Sequence, residues 1–170
     1  MIRVVLTVLV AVALLATATP ALEDARATTT VDRLDAEADR VERAVGGLVA
    51  GSVSVAAPTL AARTTVTVRA PSGFGAAPID RLTLVETETA KGSGAAAAKT
   101  ASTDAEEPTV ALRYRIDGGP ERTVPIAPGG VDATVAVDGG RVPLRPGGES
   151  RLTLRFVDDG GPTVRIARVG

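Results

Sequence analysis

Four arginines stand where their spacing could do chemistry. Arg113 and Arg115 alternate with Leu112, Tyr114 and Ile116, Arg155 lies between Leu154 and Phe156, and Arg165 lies between Val164 and Ile166. In an extended chain successive side chains point to opposite faces, so each arginine falls on the side away from its apolar neighbours. If the segments that carry them are neighbours in one sheet, Arg113, Arg115, Arg155 and Arg165 form a basic stripe. Such a stripe suits an acidic protein, a surface polymer or a headgroup layer. The plainer account is a solvated sheet face on which arginine serves solubility.

Most other chemistry lacks its residues. The chain has no His and no Cys. A Ser–His or Cys–His mechanism therefore has no base, and the usual zinc, haem and copper ligand sets lose their commonest members. Nucleophile–base pairs are left to carboxylates and to Lys91 and Lys99, and no spacing singles out a pair. There is no Trp to stack on a sugar. Gly92–Ala97 has the spacing of a dinucleotide fingerprint but is followed by strand patterns instead of a βαβ unit. Gly94–Thr100 resembles a phosphate-binding loop with Ala98 in place of its second glycine. The Asp-Gly-Gly runs at 117–119, 138–140 and 158–161 could be read as calcium loops, but lack dense oxygen ligands. The expectation is a non-enzymatic protein with no catalytic residue, no cofactor and no metal. A net charge of -1 gives no general attraction to nucleic acid.

The strongest positional signal lies at the N-terminus. After Arg3 no charged residue appears until Glu23, and Val4–Leu22 is almost wholly apolar. As a helix this run reaches about 28 Å, close to the thickness of a bilayer core. It is expected to be a transmembrane anchor or a signal peptide over residues 1–22. Ala16-Thr17-Ala18 and Thr19-Pro20-Ala21 are candidate cleavage sites. Arg3 before the run and Glu23-Asp24 after it place the N-terminus inside and the rest outside, either as a single-pass membrane protein or as a secreted one.

Residues 23–50 read as an amphipathic helix. Apolar side chains recur at Ala27, Val31, Leu34, Ala38, Val41, Val45 and Leu48, with charged residues between them. This seam is expected to pack on the protein's own sheet or to form a homo- or hetero-oligomer contact. Thr29 and Asp32 could form a capping box that starts a separate helix; otherwise the anchor helix continues, kinked at Pro20. Gly46 and Gly47 weaken its end and Gly51 closes it.

From residue 51 to 170 the apolar period changes to two, which predicts an antiparallel β-domain with one buried face. The candidate strands are Ser52–Ala57, Arg63–Arg69, Asp80–Glu88, Thr109–Ile116, Arg122–Ile126, Val131–Val137, Arg141–Leu144, Arg151–Val157 and Thr163–Val169. The three Asp-Gly-Gly runs supply the positive backbone angles of tight hairpins. Residues 89–107 hold no bulky apolar side chain and read as a flexible loop. The fold class is thus α+β: a membrane helix, an amphipathic continuation and an antiparallel β-sheet or β-sandwich.

An apolar N-terminal helix with Pro near residue 20, an amphipathic continuation and a small β-domain together resemble the layout of type IV pilins and pseudopilins. With scarce lysine and abundant Ala, Val, Gly, Thr and Asp, the chain also looks like the small uncharacterised membrane-anchored proteins of haloarchaea. The resemblance implies a structural or accessory subunit of a pilus-like or secretion apparatus. The alternative is a secreted β-sandwich binding module whose signal peptide is cleaved.

Overall fold

The computed structural model describes residues 2–87, 109–127 and 132–169. The predicted loop at 89–107 and the two glycine-rich matches inside it lie outside the described residues. The chain begins with one helix, α1 (Ile2–Ala50), which at about 1.5 Å per residue is about 74 Å long. It runs through Pro20 as a single element. Of the two readings of this stretch, the helix continues from the apolar run and the capping box at Thr29 and Asp32 does not form. The Thr29 hydroxyl donates to the Ala25 carbonyl at 2.9 Å, the back-bond of a mid-helix threonine. Because the helix arrives from upstream, the amides near Asp32 already have carbonyl partners and need no cap. At the far end the Gly51 amide donates to the Gly47 carbonyl at 3.1 Å.

Eight strands follow: β1 (Ala62–Arg69), β2 (Ile79–Thr87), β3 (Thr109–Ile116), β4 (Arg122–Ile126), β5 (Thr134–Val137), β6 (Arg141–Pro143), β7 (Glu149–Asp158) and β8 (Pro162–Arg168). They form two four-stranded sheets, ordered β1-β7-β8-β5 and β4-β3-β2-β6. The alternation read from the sequence gives the right faces. Val66, Val68, Leu152, Leu154, Phe156, Val164, Ile166, Val135 and Val137 are buried on the first sheet; Leu82, Leu84, Leu112 and Tyr114 are buried on the second.

Three expectations are corrected. Ser52–Ala57 forms no strand. Val55 makes a single bridge to Val157, beside β7 and past the start of β1. The sheets are not purely antiparallel, since β5 runs parallel to β8. Asp138–Gly140 makes no hairpin; it is a single 3-10 turn that carries the chain from β5 in one sheet to β6 in the other. Asp117-Gly118 does make a tight turn, with φ of 49° and 65° and the Gly119 amide on the Ile116 carbonyl at 2.9 Å, inside the longer connection that joins β3 to its antiparallel neighbour β4.

The open sides of the sandwich explain the helix. On one side the β5–β6 crossing closes the gap, and Glu86 of β2 accepts the Val137 amide of edge strand β5. On the other side, edge strands β1 and β4 both pack against the second half of α1. Leu34, Ala38, Val41 and Val45 join the core there, flanked by partly buried Val31 and Leu48. Glu37 accepts the Arg69 amide of β1 at 3.1 Å. Both open sides are thus covered, and a carboxylate satisfies an amide on each. The seam serves the protein's own core. Its atoms are covered by β1 and β4, so an oligomer contact through Val31, Leu34, Ala38, Val41, Val45 and Leu48 would have to displace the sandwich.

Candidate functional site

Strand order separates the four predicted arginines. Arg113 and Arg115 lie on β3 in one sheet, while Arg155 on β7 and Arg165 on β8 lie in the other. All four point away from the core, but from opposite outer faces of the sandwich. The single stripe is therefore corrected to two separate pairs. The cause is that β3 is hydrogen-bonded to β2 and β4, so no strand links it to β7 or β8.

The two pairs have different electrostatics. On the β3 face, Glu121 receives both cations, with Arg113 Nε at 3.1 Å and Arg115 Nη2 at 3.7 Å. On the β7–β8 face, cross-strand register places Arg63, Arg155 and Arg165 in one row. Arg165 is paired with Asp159 and lies 4.0 Å from Asp138. Its guanidinium is held above its ordinary pKa, first by the hydrogen bond to Asp159 and then by that carboxylate's charge. Among the described residues, Arg63 and Arg155 have no ion pair.

Arg155 and Arg165 of this row border a cleft of about 380 Å³. Its floor is Thr153, Arg155, Val157, Arg165 and Ala167 from β7 and β8, and Ala56 and Pro58 form one wall. Asp138, Asp158 and Asp159 supply carboxylates. The turn Asp159–Gly161 that shapes one rim depends on Gly160, whose φ of 82° suits glycine. The cleft thus offers two guanidinium groups and three carboxylates around small apolar side chains. That set can grip a polar or zwitterionic segment, and it contains no base poised against a nucleophile. Among the described residues, no three His, Cys, Asp or Glu side chains gather to hold a metal ion.

A second polar cluster joins the helix to the sandwich, and sequence reasoning missed it. Asp35 on α1 has its carboxyl raised above the ordinary range, first by burial and then by the charges of Asp32 and Asp39; Arg122 of β4 offsets part of this. Burial also raises the Tyr114 hydroxyl, with Asp35 adding to the effect, while Arg122 opposes it by charge and by a hydrogen bond. Thr30 was missed as well. It is fully buried on α1, and its hydroxyl accepts the Ala77 amide at 2.9 Å. A threonine beside an apolar seam is visible in the sequence, but its partner 47 residues away is not.

The fold and its cleft define a β-sandwich carried on a helix that is long and apolar enough to cross a membrane. The chain belongs to the family described as domain of unknown function DUF7311, which matches residues 1–169. The match takes in the apolar helix together with the sandwich, so the two form one family unit. No curated protein and no solved structure matches the chain.

Proposed function

We propose that this is a non-enzymatic, membrane-anchored extracytoplasmic protein with a structural or accessory role. The carrying observation is the split in α1. Its first part is apolar, long enough to cross a membrane, and not buried against the sandwich. Its second part is built into the core. No linker separates the two, so the helix holds the sandwich at a fixed height on the membrane surface. Arg3 before the apolar run and Glu23-Asp24 after it support a single pass with the sandwich outside. The row Arg63–Arg155–Arg165 and its cleft then face outward as the docking surface for an assembly partner, in keeping with a pilus-like or secretion apparatus. The absence of His and Cys from the sequence favours binding over catalysis.

One observation favours the alternative of a secreted binding module. Residues 2–25 are exposed and the first buried side chain is Thr30, so cleavage near Ala18 or Ala21 would leave the core whole. Fractionation and intact mass in a membrane-bearing host separate the two readings. A full-length chain released only by detergent is the expected result. A soluble chain that starts near Thr19 or Leu22 would overturn the anchor and leave the secreted module.

A further inference from the structure

We propose that the β1–β2 loop, tipped by Phe74 and braced by Arg26, is a foot that rests in the lipid headgroup layer. This rests on the membrane reading of α1 given above. Of the three aromatic residues, Tyr114 and Phe156 are buried, whereas Phe74 is 87% exposed. It is held, not loose. The Arg26 guanidinium carbon stands 4.3 Å from the centre of its ring. The loop behind it is tied to α1 by the Ala77 amide on Thr30, and within itself by the Ala76 amide on the Gly73 carbonyl at 3.1 Å.

The height of this loop fits the bilayer. Arg26 lies one helical turn past Leu22, the last residue of the uncharged run, which is about 6 Å along the axis. Headgroup regions extend about 5–8 Å beyond each side of the hydrocarbon core. At that depth the ring and the guanidinium both lie at headgroup level, where aromatic and arginine side chains anchor at the interface. Arg26 Nε is shielded from water and has no hydrogen-bond partner among the described residues, so the outward contact open to this side chain is through the other guanidinium nitrogens, which a phosphate oxygen suits. Glu23 and Asp24 flank Arg26, so the foot is not a basic patch. Its attraction comes chiefly from burying the ring.

The chain has no Trp, so a single introduced indole reports from one place. Phe74→Trp in the full chain would be reconstituted into vesicles of phosphatidylcholine and phosphatidylglycerol, with spin-labelled lipid carrying the quencher near the headgroup or deep in the acyl chain. Leu14→Trp and Leu60→Trp serve as companions: Leu14 lies in the apolar half of α1, and exposed Leu60 lies just before β1, at the opposite end of that strand from Phe74. The expected result is blue-shifted emission from Phe74→Trp with strongest quenching by the shallow label, deep quenching of Leu14→Trp, and none of Leu60→Trp. A water-like, unquenched Phe74→Trp beside a quenched Leu14→Trp overturns the foot and leaves the anchor standing. Equal quenching of the Leu60→Trp and Phe74→Trp variants overturns the orientation on which the foot depends. An unquenched Leu14→Trp overturns the membrane reading and the foot with it.

Discussion

The two parts of α1 share one backbone and differ in everything that surrounds it. From Ile2 to Ala25 every side chain is exposed, including Leu6 at 61% and Leu14 at 64%. From Thr30 onward a stripe of Thr30, Leu34, Ala38, Val41 and Val45 is buried, and charged residues cover the rest of the circumference. A helix apolar all round asks for an apolar solvent, whereas a helix apolar on one stripe asks for a single partner surface. Here one element meets both demands in sequence, and the change falls at Glu23-Asp24. The structure supplies the partner surface for the second part from within the chain, at the gap between β1 and β4. Among the described residues it supplies none for the first.

The widest contrast is expected from one substitution made in both parts. Leu34→Ala opens a cavity at a site with no exposure and should destabilise the sandwich by about 2–5 kcal/mol. Leu14→Ala should leave the sandwich's unfolding within about 0.5 kcal/mol of the parent, because it touches nothing in the core. Denaturant unfolding of the full chain in detergent, followed at Tyr114, measures both. Equal losses would mean that the two parts do not divide the work as described.

A threonine pair sharpens the same contrast. Thr30→Val keeps the shape but leaves the Ala77 amide buried without its acceptor, for a loss of about 1–3 kcal/mol. Thr29→Val, one residue earlier, removes only an exposed back-bond to Ala25 and should have little effect. The same denaturant titration reads both variants. Adjacent positions on one helix are thereby predicted to differ because one hydroxyl meets the β1–β2 loop and the other meets only its own helix.

Much of this was legible in the sequence, and the failures share one cause. Period-two alternation located the strands from β1 to β8 and their buried faces, because a half-buried strand writes its environment into every second residue. The seam from Val31 to Leu48 was legible for the same reason at period 3.6. Periodicity says which face is buried, but not which strand lies alongside. The arginine stripe failed on that point, since Arg113 and Arg155 follow the same pattern in different sheets. Ser52–Ala57 failed because its alternation answers to a single bridge at Val157 rather than to a ladder. Asp35 and Thr30 were unreadable because their roles depend on Arg122 and Ala77, residues brought close only by the docking of α1 on the sandwich.

The smallest expected effect tests that docking through pH. Asp35 is a carboxylate of α1 that the sandwich partly buries, with Asp32 and Asp39 adding repulsion and Arg122 returning only part of the cost. Its folded-state pKa is therefore raised, so the fold favours the protonated acid. The stability this contributes is fully present below the ordinary carboxylate range, near pH ~4, and is lost as pH rises through the raised value. Asp35→Asn mimics the protonated side chain. At neutral pH it should raise the unfolding midpoint of the sandwich modestly, and the gain should shrink to nothing as the parent becomes protonated in acid. Arg122→Gln should act in the opposite sense at neutral pH, by removing the cation that offsets the Asp35 charge and the hydrogen bond to Tyr114. In the double variant the Asp35 substitution should gain more than it does alone, because an uncompensated carboxylate costs more than a compensated one. If Asp35→Asn instead destabilised at neutral pH, the carboxylate would be serving Arg122 as an ion-pair partner. The junction between helix and sandwich would then be held by charge and not merely tolerate it.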